Sequence, residues 1–133
     1  MKSYLKAIFV GGLIYLVVSN LLDLPIVMSA INATKGDNSQ YAVINYIKAH
    51  YILRLSEIFI NVFSSMLAGY VAALITNNKK PLAGILSSVL ITGINIFHLV
   101  SGFYTAFEFD TVLNMLMPPV FGFIGGYIKE KNK

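Results

Sequence analysis

Four apolar runs, separated by polar or basic segments, constrain this chain more than any other feature of its sequence. Each run is long enough to cross a hydrocarbon core as a helix, which takes roughly 20 residues. The runs cover residues 7–24, 52–76, 82–104 and 111–128. A longer connection, residues 25–51, follows the first run and is expected to form an outer loop. Tyr41, Ile44, Ile47 and Tyr51 recur there at helical spacing, which predicts either an interfacial helix or an outward extension of the second span. The sequence therefore predicts an all-α membrane protein, one domain over 1–133 built as a four-transmembrane-helix bundle.

The composition agrees with a membrane protein and excludes several other classes. Apolar residues make up 56% of the 133 residues and charged residues only 12%, whereas a soluble domain is about 25% charged. The mean hydropathy is +0.71. The chain has no cysteine, which excludes disulfides and Cys-based zinc sites. The net charge of +4 does not indicate nucleic-acid binding, because the basic residues lie at the ends of the apolar runs.

The basic residues are unevenly divided between the two sides of the predicted bundle. Seven of the ten fall on one side: Lys2, Lys6, Lys79, Lys80, Lys129, Lys131 and Lys133. The other side has Lys35, Lys48 and Arg54, together with most of the acidic residues. Because loops rich in Lys and Arg stay in the cytoplasm, both termini are predicted to be cytoplasmic. We expect a multi-pass protein of a cell membrane, with a bacterial inner membrane as the favoured location.

The second and third runs carry small and polar residues at helical spacing on one face each. Helices in lipid associate through close packing of small residues and through interhelical hydrogen bonds. An antiparallel hairpin folded at Asn78 pairs Ala73 with Gly84, Gly69 with Ser88, Ser65 with Thr92, Asn61 with Asn95, and Glu57 with His98. The small pairs predict close contact near the turn. The polar pairs predict that the helices diverge around a wetter space toward the outside.

Glu57 and His98 are the leading candidates for a functional site, because an ionisable residue inside a span is usually functional. We expect the two side chains to lie within hydrogen-bonding reach, directly or through one water. Arg54 lies one turn from Glu57 and can pair with it. Asn20 and Asn114 lie at the same depth in the first and fourth runs. Two interpretations are open, a network that only holds the bundle together and a site that binds a ligand, an ion or a proton.

The fourth run contains two further patterns. Gly122 and Gly126 form a G-x-x-x-G motif, which can pack either inside the bundle or at a dimer interface. Pro118 and Pro119 lie in the middle of the run. Proline removes a backbone donor and kinks a helix, so a structural kink is expected, with a broken helix at a transport site as the alternative.

No motif in the sequence indicates catalysis. Nothing resembles H-E-x-x-H, G-x-S-x-G or a glycine-rich phosphate loop. His50, His98 and Glu57 could bind zinc by their chemistry, but three candidates on two helices do not predict a site. The chain is therefore expected not to be an enzyme and to have no metal or cofactor.

Short motifs in the second half of the chain combine small residues, a tyrosine and neighbouring basic residues. They are Ala68-Gly69-Tyr70-Val71-Ala72-Ala73, Pro81-Leu82-Ala83-Gly84 after a basic turn, and Gly125-Gly126-Tyr127-Ile128. In these motifs the second half of the chain resembles small uncharacterised bacterial four-helix membrane proteins. The resemblance implies a four-helix fold and no particular activity. The repeated Gly-Tyr pair before basic residues leaves open an origin as two tandem helical hairpins.

A second likeness involves Gly11-Gly12 in the first run and Asn61, Ser65 and Gly69 in the second. These positions are similar to those of Fluc-type fluoride channels, which are also four-helix chains of this size. The chain departs from that family, because no arginine follows the first glycines and the third run has no break rich in threonine and phenylalanine.

The function predicted from the sequence is a non-catalytic one. We expect a small integral membrane protein that binds a partner protein, a lipid or a small ligand, as accessory or immunity-type proteins do. Its surroundings are the lipid bilayer, and its partner is either another membrane protein or a second copy of the chain. The alternative is a small oligomeric transporter or channel that uses the outward-facing polar cluster. A water-connected cavity around Glu57 would favour a binding role. A dry network in which every polar group is satisfied would favour a structural role.

The predicted orientation can be tested by cysteine labelling, because the chain has no cysteine of its own. A cysteine at Asn38 should react with an impermeant thiol reagent added from outside, whereas cysteines at Asn78 and Asn132 should not. The measurement is labelling of intact cells before and after permeabilisation. Labelling of each site from both sides would mean that the chain inserts in two orientations.

Overall fold

A computed structural model describes residues 2–34, 39–76, 80–100 and 109–132, without the side chains of residues 2, 40, 41, 98, 99 and 109–111. These residues form helices throughout, which confirms the all-α prediction. The helices are α1 (Lys2–Ala33), α2 (Gln40–Ala49), α3 (Tyr51–Ile75), α4 (Lys80–Ser87), α5 (Val89–Val100) and α6 (Phe109–Lys131). The predicted turn at Asn78 and the last residues of the predicted 82–104 span lie outside the described residues.

Three helical stretches are long and apolar enough to cross a membrane. They are Ser3–Ala33, Tyr51–Ile75 and Lys80–Phe97, the last of which runs through α4 and α5. α6 is 23 residues long but is not one of the three. Large apolar side chains face outward from these helices, such as Ile52 and Phe59, which are 77% and 74% exposed. Apolar exposure on this scale indicates a surface that meets lipid.

The first helix is longer than the predicted span. The first part of the outer connection was expected to lie outside the first span, but α1 continues through Pro25 to Ala33. The helical spacing from Tyr41 onward agrees with α2, which is a helix separate from α3 because His50 between them is extended. Proline costs the helix one hydrogen bond. Beyond it, however, Ile26 is buried in a cluster with Ile47 of α2. This packing stabilises the extra turns of α1 despite the proline.

One end of the bundle brings four helix ends together. Ala7 of α1, Ala72 of α3 and Ala83 of α4 form one buried cluster. A Cβ atom on Gly126 of α6 would lie 2.6 Å from the carbonyl oxygen of Lys80. The start of α1, the end of α3, the start of α4 and the end of α6 therefore meet. We call this end of the bundle, marked by Lys80, the lysine end.

At the opposite end, α2 packs across α1 and α3. The contact is an apolar cluster of Ile26, Ala30 and Ile47, with Val43, Tyr46, Leu53 and Ile60 packed against it. α2 begins at Ser39, whose Oγ accepts a hydrogen bond from the backbone N–H of Ala42 at 3.3 Å, an N-cap that satisfies a free helix donor. His50, in an extended conformation, joins α2 to α3. We call this end the α2 end.

Glycines bring three helices into backbone contact in the lysine half of the bundle. Gly122 of α6 lies between Gly69 of α3 and Gly84 of α4, and a Cβ atom on either partner would collide with the Gly122 carbonyl. On α1, a Cβ atom on Gly11 would collide with Ser87 of α4. Such close approach is possible only where no side chain separates the backbones. α6 is thus a wedge between α3 and α4.

This wedge changes the predicted pairing of the second and third runs. Gly69 was expected to face Ser88, but its nearest neighbour is Gly122. The atoms nearest to a Cβ atom built on Gly84 likewise belong to Gly122 and Gly126 of α6, and not to Ala73. α3 and α4 still contact each other near the lysine end. Gly122 and Gly126 both pack inside the bundle, which is one of the two roles that their motif allowed.

The regular hydrogen-bond ladder of the third apolar run is interrupted at Ser87 and Ser88. The N–H of Ser88 donates to the carbonyl of Ile85 at 3.0 Å, three residues back instead of four. The hydroxyls of Ser87 and Ser88 donate to the carbonyls of Gly84 and Ile85, each at 2.6 Å. Serine hydroxyls that bond back to their own helix compete with the regular ladder and bend it. The run is therefore divided at Ser88 into two helices, α4 and α5.

Beyond Ser88, α5 lies apart from α3. Within the described ranges, no Cα atom of α5 lies within 8 Å of one in α3, and α5 packs on α1 and α6 instead. The predicted pairs of Ser65 with Thr92 and Asn61 with Asn95 are therefore wrong. The expectation that the helices diverge away from the Asn78 turn agrees with this separation. The position of α6, in contact with both Gly69 and Gly84, is consistent with it.

Substitution of Gly69 by leucine tests the wedge. The side chain would collide with the Gly122 carbonyl, and overpacking of this kind costs about 1–3 kcal/mol or more. We expect a clear loss of thermal stability in detergent. Gly93→Leu is the matched control, because a Cβ atom on Gly93 meets nothing within 4 Å, and it should leave the melting temperature almost unchanged. Equal melting temperatures for the two variants would contradict the wedge.

Candidate functional site

A partly open cleft at the α2 end is the candidate site. Its volume is about 80 Å³, enough for several water molecules, since one water needs about 10–15 Å³. We call it the polar cleft. It is lined by Lys48 of α2, by Arg54, Glu57, Ile58 and Asn61 of α3, and by Leu113, Asn114 and Met117 of α6.

The spacing of the sequence on α3 brings three polar side chains to this cleft. Arg54, Glu57 and Asn61 are three and four residues apart, so they project from neighbouring turns of one face. Lys48 reaches the cleft from the last turn of α2, and Asn114 reaches it from α6. The two cations are exposed, and Glu57 and Asn61 are half-buried. Charged groups thus surround the mouth of the cleft, and an amide lies deeper.

None of the three charged side chains is isolated. Lys48, Arg54 and Glu57 each interact with another group in the structure. Two cations and one carboxylate in a small, partly open volume suit a ligand that carries both an anionic and a cationic group.

Asn61 is held by a residue that the sequence did not single out. The Tyr15 hydroxyl of α1 donates a hydrogen bond to Asn61 Oδ1 at 2.7 Å. Tyr15 is 8% exposed and packs with Ala68 and Ile91. This contact fixes the amide of Asn61 at the base of the cleft and links α1 to it.

The backbone carbonyl of Asn114 lacks its intrahelical donor because of Pro118, and it accepts a hydrogen bond from α5 instead. Pro118 has no N–H, so the carbonyl of Asn114, four residues earlier, has no intrahelical partner. Asn95 Nδ2 of α5 donates to this carbonyl at 3.4 Å, a long hydrogen bond. Neighbouring helices commonly satisfy carbonyls that proline frees in membrane helices. The Pro118-Pro119 pair therefore lies inside a continuous α6, and Asn95 satisfies one of its freed acceptors.

The structure brings some of the predicted site residues together and leaves others elsewhere. Arg54, Glu57, Asn61 and Asn114 line the polar cleft. Asn20 does not join them, because it is exposed on α1 and its Nδ2 donates to the carbonyl of Leu16 of its own helix at 2.7 Å. The correction follows from helical geometry, since Asn20 shares the depth of the cluster but lies on another face of α1.

The predicted pair of Glu57 and His98 lies outside the described residues, because the His98 side chain is not among them. Glu57 lies on α3 and His98 lies on α5, and within the described ranges no Cα atoms of these two helices lie within 8 Å of each other. Ser65, another member of the α3 stripe, donates from its hydroxyl to the carbonyl of Asn61 in its own helix at 2.6 Å. In the part of the chain that the structure describes, no group of three His, Asp or Glu residues could hold a metal ion.

Asp23 is a polar group at this end of the bundle that the sequence reasoning missed. Its Oδ1 is buried and has no hydrogen-bond partner in the described part of the chain. The sequence placed Asp23 at the end of a span, where water would solvate it. The burial of Asp23 could have been predicted from helical spacing. Ser19 lies four residues before it and Ala30 seven residues after it, on the same face of α1, and both are buried.

Comparisons with known proteins give no further guide to this site. No protein-family model matches the chain, and no curated protein and no solved structure matches it either.

Replacing Tyr15 with phenylalanine tests the link between α1 and the cleft. The change keeps the ring and removes the donor to Asn61 Oδ1. Interhelical hydrogen bonds in membranes contribute about 0.6 kcal/mol on average, so we expect a small but measurable drop in melting temperature. Tyr127→Phe is the control, because Tyr127 is 43% exposed, and it should have no effect. A drop of the same size in both variants would argue against the Tyr15–Asn61 bond.

Proposed function

We propose that this chain is a non-catalytic, four-span protein of a bacterial inner membrane that binds a small polar ligand in the polar cleft. This role is that of an accessory or immunity-type protein. The observation that carries the proposal is the convergence of Lys48, Arg54 and Glu57 with two asparagine amides in one partly open cleft.

The length and position of α6 support a fourth span. Its 23 residues would reach about 34 Å at 1.5 Å per residue, more than the roughly 30 Å of a hydrocarbon core. α6 also packs between α3 and α4 through Gly122, and both partners belong to stretches long and apolar enough to cross. A helix wedged between two spanning helices shares their depth in the bilayer.

The lysine end supports cytoplasmic termini. Lys129 Nζ lies 5.8 Å from the centre of the Tyr70 ring, and Lys131 Nζ lies 5.2 Å from that of Tyr127. Tyrosine and lysine together are typical of the membrane–water interface. Since basic residues favour the cytoplasmic side, the polar cleft at the opposite end would face outward.

Two features favour binding over passage or a purely structural role. The backbones of α3, α4 and α6 touch around Gly122, so the lysine half of the bundle is closed to a permeating ion or solute. At the other end the cleft is partly open and has room for several waters.

Glu57→Gln tests the proposal by separating binding from folding. The change keeps the size of the side chain and removes the charge from the cleft. We expect a small molecule to co-purify with the full chain in mild detergent and to appear as a bound mass in native mass spectrometry. Glu57→Gln and Lys48→Gln should each lose that mass while their melting temperatures stay near that of the unmodified chain.

Lys6→Gln is the matched control, since Lys6 is exposed at the lysine end, and it should keep the bound mass. If Glu57→Gln instead lowers the melting temperature and keeps the bound mass, the cleft has only a structural role. Ion or solute flux in proteoliposomes that depends on Glu57 would favour the transporter alternative.

A further inference from the structure

Asn20 presents a polar side chain to the outer surface of the bundle. It is exposed on α1, whereas its neighbour Ser19 is 6% exposed. One N–H of Asn20 Nδ2 donates to the carbonyl of Leu16 at 2.7 Å. Among the residues that the structure describes, its second N–H and its Oδ1 have no hydrogen-bond partner. The amide can therefore still donate and accept hydrogen bonds outside the monomer.

This amide lies at a depth where lipid surrounds the bundle. Lys6 is exposed at the lysine end of α1, and Asn20 lies 14 residues further along the same helix. At about 1.5 Å per residue their separation is about 21 Å, which is inside a hydrocarbon core of roughly 30 Å. Leu21 and Leu22, which follow Asn20, are both exposed apolar side chains. Lipid cannot form hydrogen bonds with the amide, so leaving it unpaired there is costly.

Asn20 belongs to a row of exposed residues that runs along α1. The row is Leu13, Val17, Asn20 and Leu24, separated by four, three and four residues. Its three apolar members are between 50% and 63% exposed. Alternating steps of three and four are the heptad spacing by which one helix packs along another. A single asparagine in such a row fixes the register and the number of helices that associate. We call these four residues the α1 row.

We propose that two copies of this chain pair through the α1 row, with their Asn20 side chains hydrogen-bonded to each other. The copies are parallel and are related by a twofold axis along the membrane normal. Each apolar member of the α1 row packs against the same row of the second copy. This interface goes beyond the proposed function, because Asn20 does not line the polar cleft.

A second copy offers the chemistry that Asn20 lacks within the monomer. An amide is both a donor and an acceptor, so two Asn20 side chains across a twofold axis can each donate to the Oδ1 of the other. The basic residues predict one orientation for every copy, which places the two amides at the same depth. The α1 row contains no charged residue that would select a charged partner. Its chemistry is therefore complementary to itself.

The outer face of α3 provides a comparison. Ile52, Leu55, Phe59 and Phe63 are exposed there and are also spaced by three or four residues. All four are apolar, so lipid can cover them without leaving a polar group unpaired. The amide is what distinguishes the α1 row from this surface. Phe59, which is 74% exposed, is therefore a suitable control position.

Cross-linking locates the interface, because the chain has no cysteine of its own. Val17→Cys and Phe59→Cys are each purified, reconstituted into phospholipid vesicles and treated with an oxidant. We expect Val17→Cys to form a disulfide-linked dimer on a denaturing gel, since the twofold axis brings the two copies of this position together. Phe59→Cys should remain monomeric at the same ratio of protein to lipid.

The role of the amide is measured by energy transfer between two dyes attached at Asn132→Cys. Dilution of the labelled chain with lipid gives the dissociation constant of the dimer. Asn20→Leu should weaken the dimer about tenfold, as the loss of interhelical hydrogen bonds predicts. Asn20→Gln keeps an amide and should retain most of the dimer. Asn32→Leu is the matched control, because Asn32 is exposed on α1 outside the α1 row, and it should change nothing.

Several results would overturn the dimer. The interface is wrong if Val17→Cys cross-links no better than Phe59→Cys. The role of Asn20 is wrong if Asn20→Leu and Asn32→Leu have the same dissociation constant as the unmodified chain. If the purified chain shows no energy transfer and Val17→Cys cross-links to a different protein in native membranes, that protein covers the α1 row and a second copy does not.

Discussion

The contact of Gly122 with Gly69 and Gly84 is the interaction on which the rest of the structure depends. Lipid is as apolar as leucine, so membrane helices are not driven together by the hydrophobic effect and must gain their stability from close packing. Gly122 allows the α6 backbone to reach the backbones of α3 and α4 at the same time. Because α6 takes this central place, α3 cannot meet the third apolar run along its whole length. The lysine half is closed because α6 packs against α3 and α4 there, and the α2 half is open because α3 and α5 are separated.

The α2 half is held together by side-chain contacts and not by backbone contact at glycines. Among the described residues, the helices here are bridged by the Tyr15 hydroxyl bonded to Asn61 and by the Asn95 amide bonded to the Asn114 carbonyl. Such interhelical bonds contribute well under about 2 kcal/mol each. The cleft lies where close packing has ended and the apolar cluster around Ile47 of α2 has begun. A site in this position can admit a ligand without disturbing the glycine contacts that hold the fold.

The sequence predicted the faces and depths of the helices better than it predicted their partners. Helical spacing identified Gly69 and Gly84 as positions of close contact and placed Arg54, Glu57 and Asn61 on one face. It could not show that both glycines meet α6, because Gly122 offers an equally small surface and periodicity does not specify a neighbour. It also ended α1 at Pro25, since the cost of proline is local whereas the packing of α2 that offsets it depends on a distant segment. Asp23 was missed for the same reason.

The wedge has a consequence for how the protein is made in the cell. α6 is synthesised after the other described helices, so the glycine surfaces of α3 and α4 enter the membrane before Gly122 is available to cover them. Until then the two surfaces can contact only lipid, the translocation machinery or each other. The nascent protein therefore passes through an incomplete bundle in which α6 does not yet cover Gly69 and Gly84. Quality-control proteases and membrane chaperones that recognise exposed small-residue surfaces would meet the chain at this stage, before α6 packs against α3 and α4.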